Sequence, residues 1–114
     1  MTDEIRLRVV FYKTEAGKEP VRDWLKSLPD VEKKIIGQDI KTIQFGWPLG
    51  MPIVRKLDQD LWEVRSSLPN RIARVIFTVS DNVMVLLHGF IKKSQKTPAR
   101  DLGLARKRIQ TLME

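Results

Sequence analysis

Cysteine is absent from the chain, and its absence excludes a disulfide framework, a thiolate metal site and a cysteine nucleophile together. Histidine occurs once, at His88, with no companion at ligand spacing, which argues against a zinc centre. No apolar run approaches the roughly 20 residues that cross a bilayer. The opening MTDEIRLRVV carries acidic residues and lacks the apolar core of a secretory signal. Internal repeats, low-complexity segments and linkers are missing too. These absences imply a cytoplasmic protein with no metal, no cofactor and no membrane association.

What is present is a globular composition with a one-sided charge. The 114 residues, 42% hydrophobic and 31% charged, suffice for one domain with a real core and are too few for two, so residues 1–114 read as a single domain. The net charge of +7 comes from 21 basic and 14 acidic residues. From Lys92 onward seven basic residues (Lys92, Lys93, Lys96, Arg100, Arg106, Lys107, Arg108) face two acidic ones (Asp101, Glu114), so five of the seven net charges sit there. Clustered lysine and arginine suit a polyanion, nucleic acid above all, because binding releases condensed counterions. A solvated helix face or a docking surface for an acidic protein is the alternative.

Periodicity gives the elements. Ile5 to Tyr12 reads as a strand with Ile5, Leu7, Val9 and Phe11 on one face. Pro20 opens a short helix with Val21, Trp24, Leu25 and Leu28 in an apolar stripe, where Trp24 reads as core. Asp30 is placed to cap a second helix that runs to about Phe45 through Ile36, Ile40 and Ile43, with Gly46 as its C-cap. Gly37 inside it either weakens the helix or permits close packing. The two helices form a hairpin. Ile53 to Leu57 is a strand or an extended approach to one. LWEVR, RIARVIFTV and VMVLLHGF are three strands joined at SSLPN and SDN, and Thr97 with Pro98 starts a last helix striped by Leu102, Ala105, Ile109 and Leu112. The expectation is an α+β fold: a helical hairpin and a C-terminal helix packed on one face of a mainly antiparallel sheet of about four strands, its other face open.

Charges interrupt the three strands. Alternation puts Ile72, Arg74, Ile76 and Thr78 on one face of the second, and Leu61, Glu63 and Arg65 together on the first. Arg65 and Arg74 therefore project from the same open face, as a phosphate clamp or as a partner for Glu63. His88 depends on register. A three-residue SDN loop sets it on the Arg74 face, and a two-residue loop moves it to the core side.

These segments resemble the RelE/ParE toxin superfamily, specifically its phage-derived HigB-like branch. The resemblance rests on PVRDWLKSLP, GMPIVRKL, LWEVRSSLPNRIARVIF, LLHGFIKKSQKTP and LGLARKRIQ, and spans most of the chain. It implies the toxin of a type II toxin–antitoxin system. Many such toxins are ribosome-dependent mRNA interferases that cut the message in the A site without a metal, by attack of a 2′-hydroxyl on the adjacent phosphate. The partners implied are mRNA on the ribosome and a helix-turn-helix antitoxin of HigA type. Other members are non-enzymatic gyrase inhibitors of ParE type, and a toxin that has lost activity would persist as an RNA- or antitoxin-binding protein.

By motif, the resemblance maps functional positions onto Arg65, Arg74 and Lys56, and onto His88, Lys92, Lys93 and Lys96 after the last strand. Cleavage by an internal hydroxyl needs proton removal, stabilisation of a phosphorane and protonation of the leaving oxygen. Arginine suits the phosphorane, since it stays charged and binds two oxygens at once. The catalytic set is thus Arg65, Arg74, His88 and Lys93, and Lys56, Lys92, Lys96, Arg100 and Arg106 form the RNA and phosphate-binding set. Histidine is the residue type whose unperturbed pKa lies near neutrality, which suits His88 to proton transfer, yet a hydrogen-bonded structural histidine fits the same position. Where some relatives carry a tyrosine or an acid near the last strand's end, this chain has Phe90, and its only tyrosine is Tyr12.

Overall fold

A computed structural model describes residues 6–92 and 96–113. Strand β1 (Arg8–Phe11) is followed by helices α1 (Pro20–Lys26) and α2 (Asp30–Gly46). Four strands come next, β2 (Val54–Asp58), β3 (Leu61–Ser67), β4 (Ile72–Ser80) and β5 (Val83–Ile91), and then helix α3 (Ala99–Met113). The architecture is α+β, with three helices on a five-stranded sheet of order β1-β5-β4-β3-β2. All neighbours are antiparallel except β1, which pairs in parallel with β5. The Ile53 to Leu57 segment, which reads as a strand or an approach to one, forms β2 and brings the count to five. Among the described residues no helix is long and apolar enough to cross a membrane.

The α1–α2 hairpin forms as the apolar stripes require. Val21, Ile36, Ile40 and Ile43 are buried and pack on Val64, Ala73, Val75, Phe77, Met84 and Leu86. Trp47, just past α2, meets Trp62 and Phe77 edge-on at 5.2 and 5.7 Å between ring centres. The helix ends differ by a residue from expectation. Pro29 holds the N-cap position of α2 and Asp30 lies in its first turn, where a carboxylate favours the positive end of the helix dipole. Gly46 is the last helical residue and Trp47 the C-cap.

The third helix overturns the expected one-sided packing. It crosses the opposite face of the sheet, where Ala105, Leu102 and Ile109 cover Leu61, Ile76, Val85 and Leu87. The cause lies in β4 and β5, which are apolar on both sides. Ala73 to Thr78 are all buried, with Ile76 fully so. A face carrying Ile76, Val85 and Leu87 cannot be left to water at a cost of about 25 cal/mol per Å².

Two glycines make a paired test. Gly37 is exposed, and a Cβ there would meet nothing within 4 Å, so it serves no close contact. Gly37→Ala should stabilise the fold by about 1 kcal/mol in chemical denaturation, the helix cost of glycine. A Cβ on Gly89 would strike the Trp24 ring at Cε3. Gly89→Ala should therefore destabilise by about 1–3 kcal/mol in the same assay.

Candidate phosphate-binding site

Arg74 lies opposite Arg65 in the β3–β4 register, on the face that α3 crosses, as alternation predicts. It does not project into solvent. Its side chain and that of Glu63 are both fully buried, with Nη1 3.2 Å from Glu63 Oε1. Thr97, in the segment entering α3, accepts from Arg74 Nη1 at 3.2 Å and donates to Glu63 Oε2 at 2.8 Å. Thr97 thus locks the ion pair rather than capping the helix. Arg74 is thus enclosed in the protein, where an open clamp was expected. A charge buried in mid-strand must have its counter-charge beside it, and Glu63 supplies it.

Around this pair stand three further cations. Arg55 pairs directly with Glu63 across β2–β3, so its side chain shares that face. Arg65 sits beside Arg74, and the Lys92 N–H donates to the Ile72 carbonyl at 2.7 Å, extending β5 by one residue. The Lys92 ammonium is held below the ordinary lysine range, first by burial and then by Arg74, Arg65 and Arg55, with Glu63 opposing. Burial likewise lowers the Arg74 pKa against the pull of Glu63. Four cations from four strands or strand ends thus share one carboxylate.

His88 reaches the same face by an unexpected route. Asp81 and Asn82, with φ of 50° and 63°, form a two-residue hairpin loop that pairs Ser80 with Val83. That register alone would turn His88 to the core side. A β-bulge intervenes: Phe77 pairs with Leu86 but Ile76 pairs with His88, so Leu87 is the extra residue. His88 Nε2 lies 2.6 Å from Asp101 Oδ1 in the first turn of α3, and its ring stacks on Phe90 at 5.5 Å.

The remaining expected residues scatter. Lys56 pairs with Trp62 on the hairpin face and lies over its ring at 5.7 Å, on the opposite side of the sheet from Arg74. Arg106 is engaged by Asp58 in an ion pair. Arg100 and Lys96 are exposed, Arg100 in the first turn of α3. Lys93 lies outside the described residues.

A family model described as phage derived protein Gp49-like (DUF891) matches residues 23–110, which includes every element except β1, the start of α1 and the end of α3. The chain belongs to the Gp49-like family. This is a RelE/HigB-like toxin family of toxin–antitoxin systems. No curated protein matches the chain closely enough to count as a relative.

Within this Gp49-like chain, sequence reasoning missed Arg55, Thr97 and Asp101 as partners in the site. Arg55 was legible in principle, because Val54 and Val64 pack in the core of the hairpin face and their neighbours Arg55 and Glu63 must then share the other. Asp101 was not, since its link to His88 depends on the bulge.

Removing one partner of a buried pair strands the other. Glu63→Ala should cost about 3–5 kcal/mol of stability in denaturant unfolding, and the double variant Glu63→Ala, Arg74→Leu should recover much of it. Removing a neighbouring cation should raise the Lys92 pKa, because less repulsion acts on the ammonium. An upward-shifted titration of the Lys92 side chain by NMR in Arg65→Gln would show this.

Proposed function

We propose that the chain is the toxin of a type II toxin–antitoxin system and acts as a ribosome-dependent mRNA endonuclease, with a helix-turn-helix antitoxin of HigA type as its inhibitor. The observation that carries the reading is the convergence of Arg55, Arg65 and Lys92 on the buried Arg74–Glu63 pair. Their excess over the single carboxylate suits a phosphodiester, whose charge rises in the phosphorane.

In this reading Arg65 and Arg55 bind the non-bridging oxygens of the scissile phosphate, and Arg74, through Glu63, fixes β3, which carries Arg65 and pairs with the strand of Arg55. The 2′-hydroxyl attacks phosphorus, its proton leaves to a base, the P–O5′ bond breaks, and the departing 5′ oxygen takes a proton. The products are a 2′,3′-cyclic phosphate and a 5′-hydroxyl end. Lys92 suits the first transfer, since its lowered pKa increases the neutral amine. His88, oriented by Asp101, suits the second. The ribosome supplies what the isolated site lacks, a message held in line for attack.

The test is a defined message on translating bacterial ribosomes, with new 5′ ends mapped. Wild-type protein should cut at A-site codons only during translation, and Arg65→Ala or Lys92→Ala should each lower the rate by about a hundredfold without unfolding the protein. An intact message under conditions where a known interferase cuts it would sink the reading, and a gyrase supercoiling assay would then examine the ParE-like alternative.

A further inference from the structure

Past Leu86, the β1 side of β5 has no strand beside it among the described residues. The last bond across that edge runs from the Tyr12 N–H to the Leu86 carbonyl at 3.0 Å. Beyond the bulge, the Lys92 N–H donating to the Ile72 carbonyl fixes the phase of β5. Antiparallel pairs alternate between bonded and non-bonded, so His88 and Phe90 turn their backbone groups toward β4, and Gly89 and Ile91 turn theirs outward. One step back, the Leu87 carbonyl accepts from Arg108 Nη1 at 2.6 Å.

The outward groups of Gly89 and Ile91 floor a cleft of about 440 Å³ bounded by Trp24 of α1 and by Pro98, Arg100 and Asp101 at the start of α3. Gly89 makes the wall possible. Any Cβ there would strike the Trp24 ring, so its absence lets the indole lie against the strand. Trp24, which reads as core in the sequence, is half-buried and packs on the core while lining the cleft. Asp101, at the far wall, is the residue that holds His88.

We propose that this cleft is a nucleobase subsite for single-stranded RNA. The inference rests on the RNA-cleaving reading and says how the strand is held beside His88. The indole offers a stacking surface, the mode by which unpaired bases are bound. The outward N–H and C=O groups offer a donor and an acceptor to the base edge, and Arg100 gives a neighbouring phosphate its cation. An extended peptide adding to this edge fits less well. Only two residues face outward, and Arg108 occupies the carbonyl at the Leu87 end.

The test compares a short 2′-O-methyl RNA, which cannot undergo 2′ attack, with an abasic strand of equal length, by fluorescence anisotropy. The base-bearing strand should bind about tenfold tighter, and Trp24→Leu should shrink that advantage to about twofold while leaving the abasic affinity unchanged. In wild-type protein the Gly89 and Ile91 amide resonances should move with the RNA and stay in place with the abasic strand. An advantage that survives in Trp24→Leu, with those amides unmoved, overturns the subsite. Binding of the abasic strand that still depends on Arg65 would in that case leave the phosphate site standing. Movement of the two amides by an acidic decapeptide and not by RNA also overturns it, in favour of strand addition.

Discussion

A guanidinium fully buried in the middle of β4 is the constraint on which the rest of the molecule turns. Arg74 could not occupy that position alone, because an unpaired ion in the interior costs several kcal/mol even after relaxation. Glu63 on β3 answers its charge, and Thr97 bonds to both. These three residues come from β3, β4 and the approach to α3, so the pair ties the sheet to the helix covering its second face. The same residues fix where the other cations stand, since Arg55 pairs with Glu63 and Arg65 with Arg74 by strand register.

The bulge at Leu87 is the second device, and it acts through parity. Side chains alternate with period two, so one extra residue exchanges the faces of everything that follows it. Without it, His88 would face the α1–α2 hairpin and Gly89 would face α3. With it, His88 meets Asp101 and Gly89 receives the Trp24 ring. Arg108, lying over the Tyr12 ring at 5.4 Å, donates to the carbonyl of the extra residue and so holds the irregularity from α3. Burial lowers the Arg108 pKa, and the contact with a carbonyl and an aromatic face offsets the cost of desolvating its charge.

Much of this was legible in the sequence where local rules decide. Apolar spacing in Val21 to Ile43 gave the hairpin, alternation in Leu61 to Val79 gave two strands, and parity alone placed Arg65 beside Arg74. What escaped depends on events that leave no periodic mark. The parallel pairing of β1 with β5 joins segments more than 70 residues apart, Arg8 with Val83 for example. The side chosen by α3 follows from Ile76 and Leu87 being apolar on a face that Glu63 and Arg74 make look polar. The charges there were signs of a buried pair, and they read as signs of an open surface. A two-residue turn was foreseen as one option, and its consequence for His88 was reversed by the bulge.

The site shows a division of labour that an inspection of charges alone would not supply. Arg74 is the most enclosed cation and is paired through Nη1 with Glu63 and Thr97, so it is suited to hold geometry and ill suited to meet a substrate. Arg55, Arg65 and Lys92 feel its charge and are only partly buried. They are therefore mutually repelling groups kept close by a scaffold, a ground state that a phosphodiester would relieve. The repulsion that depresses the Lys92 pKa is the same quantity that favours an anion among these residues. A substrate phosphate entering the cluster would offset part of that repulsion, so the amine is most readily neutral before the phosphate arrives and would hold the proton taken from the 2′-hydroxyl more firmly afterwards. In the proposed reaction this couples binding to proton transfer within one cluster, and it does so because the single buried carboxylate is already committed to Arg74.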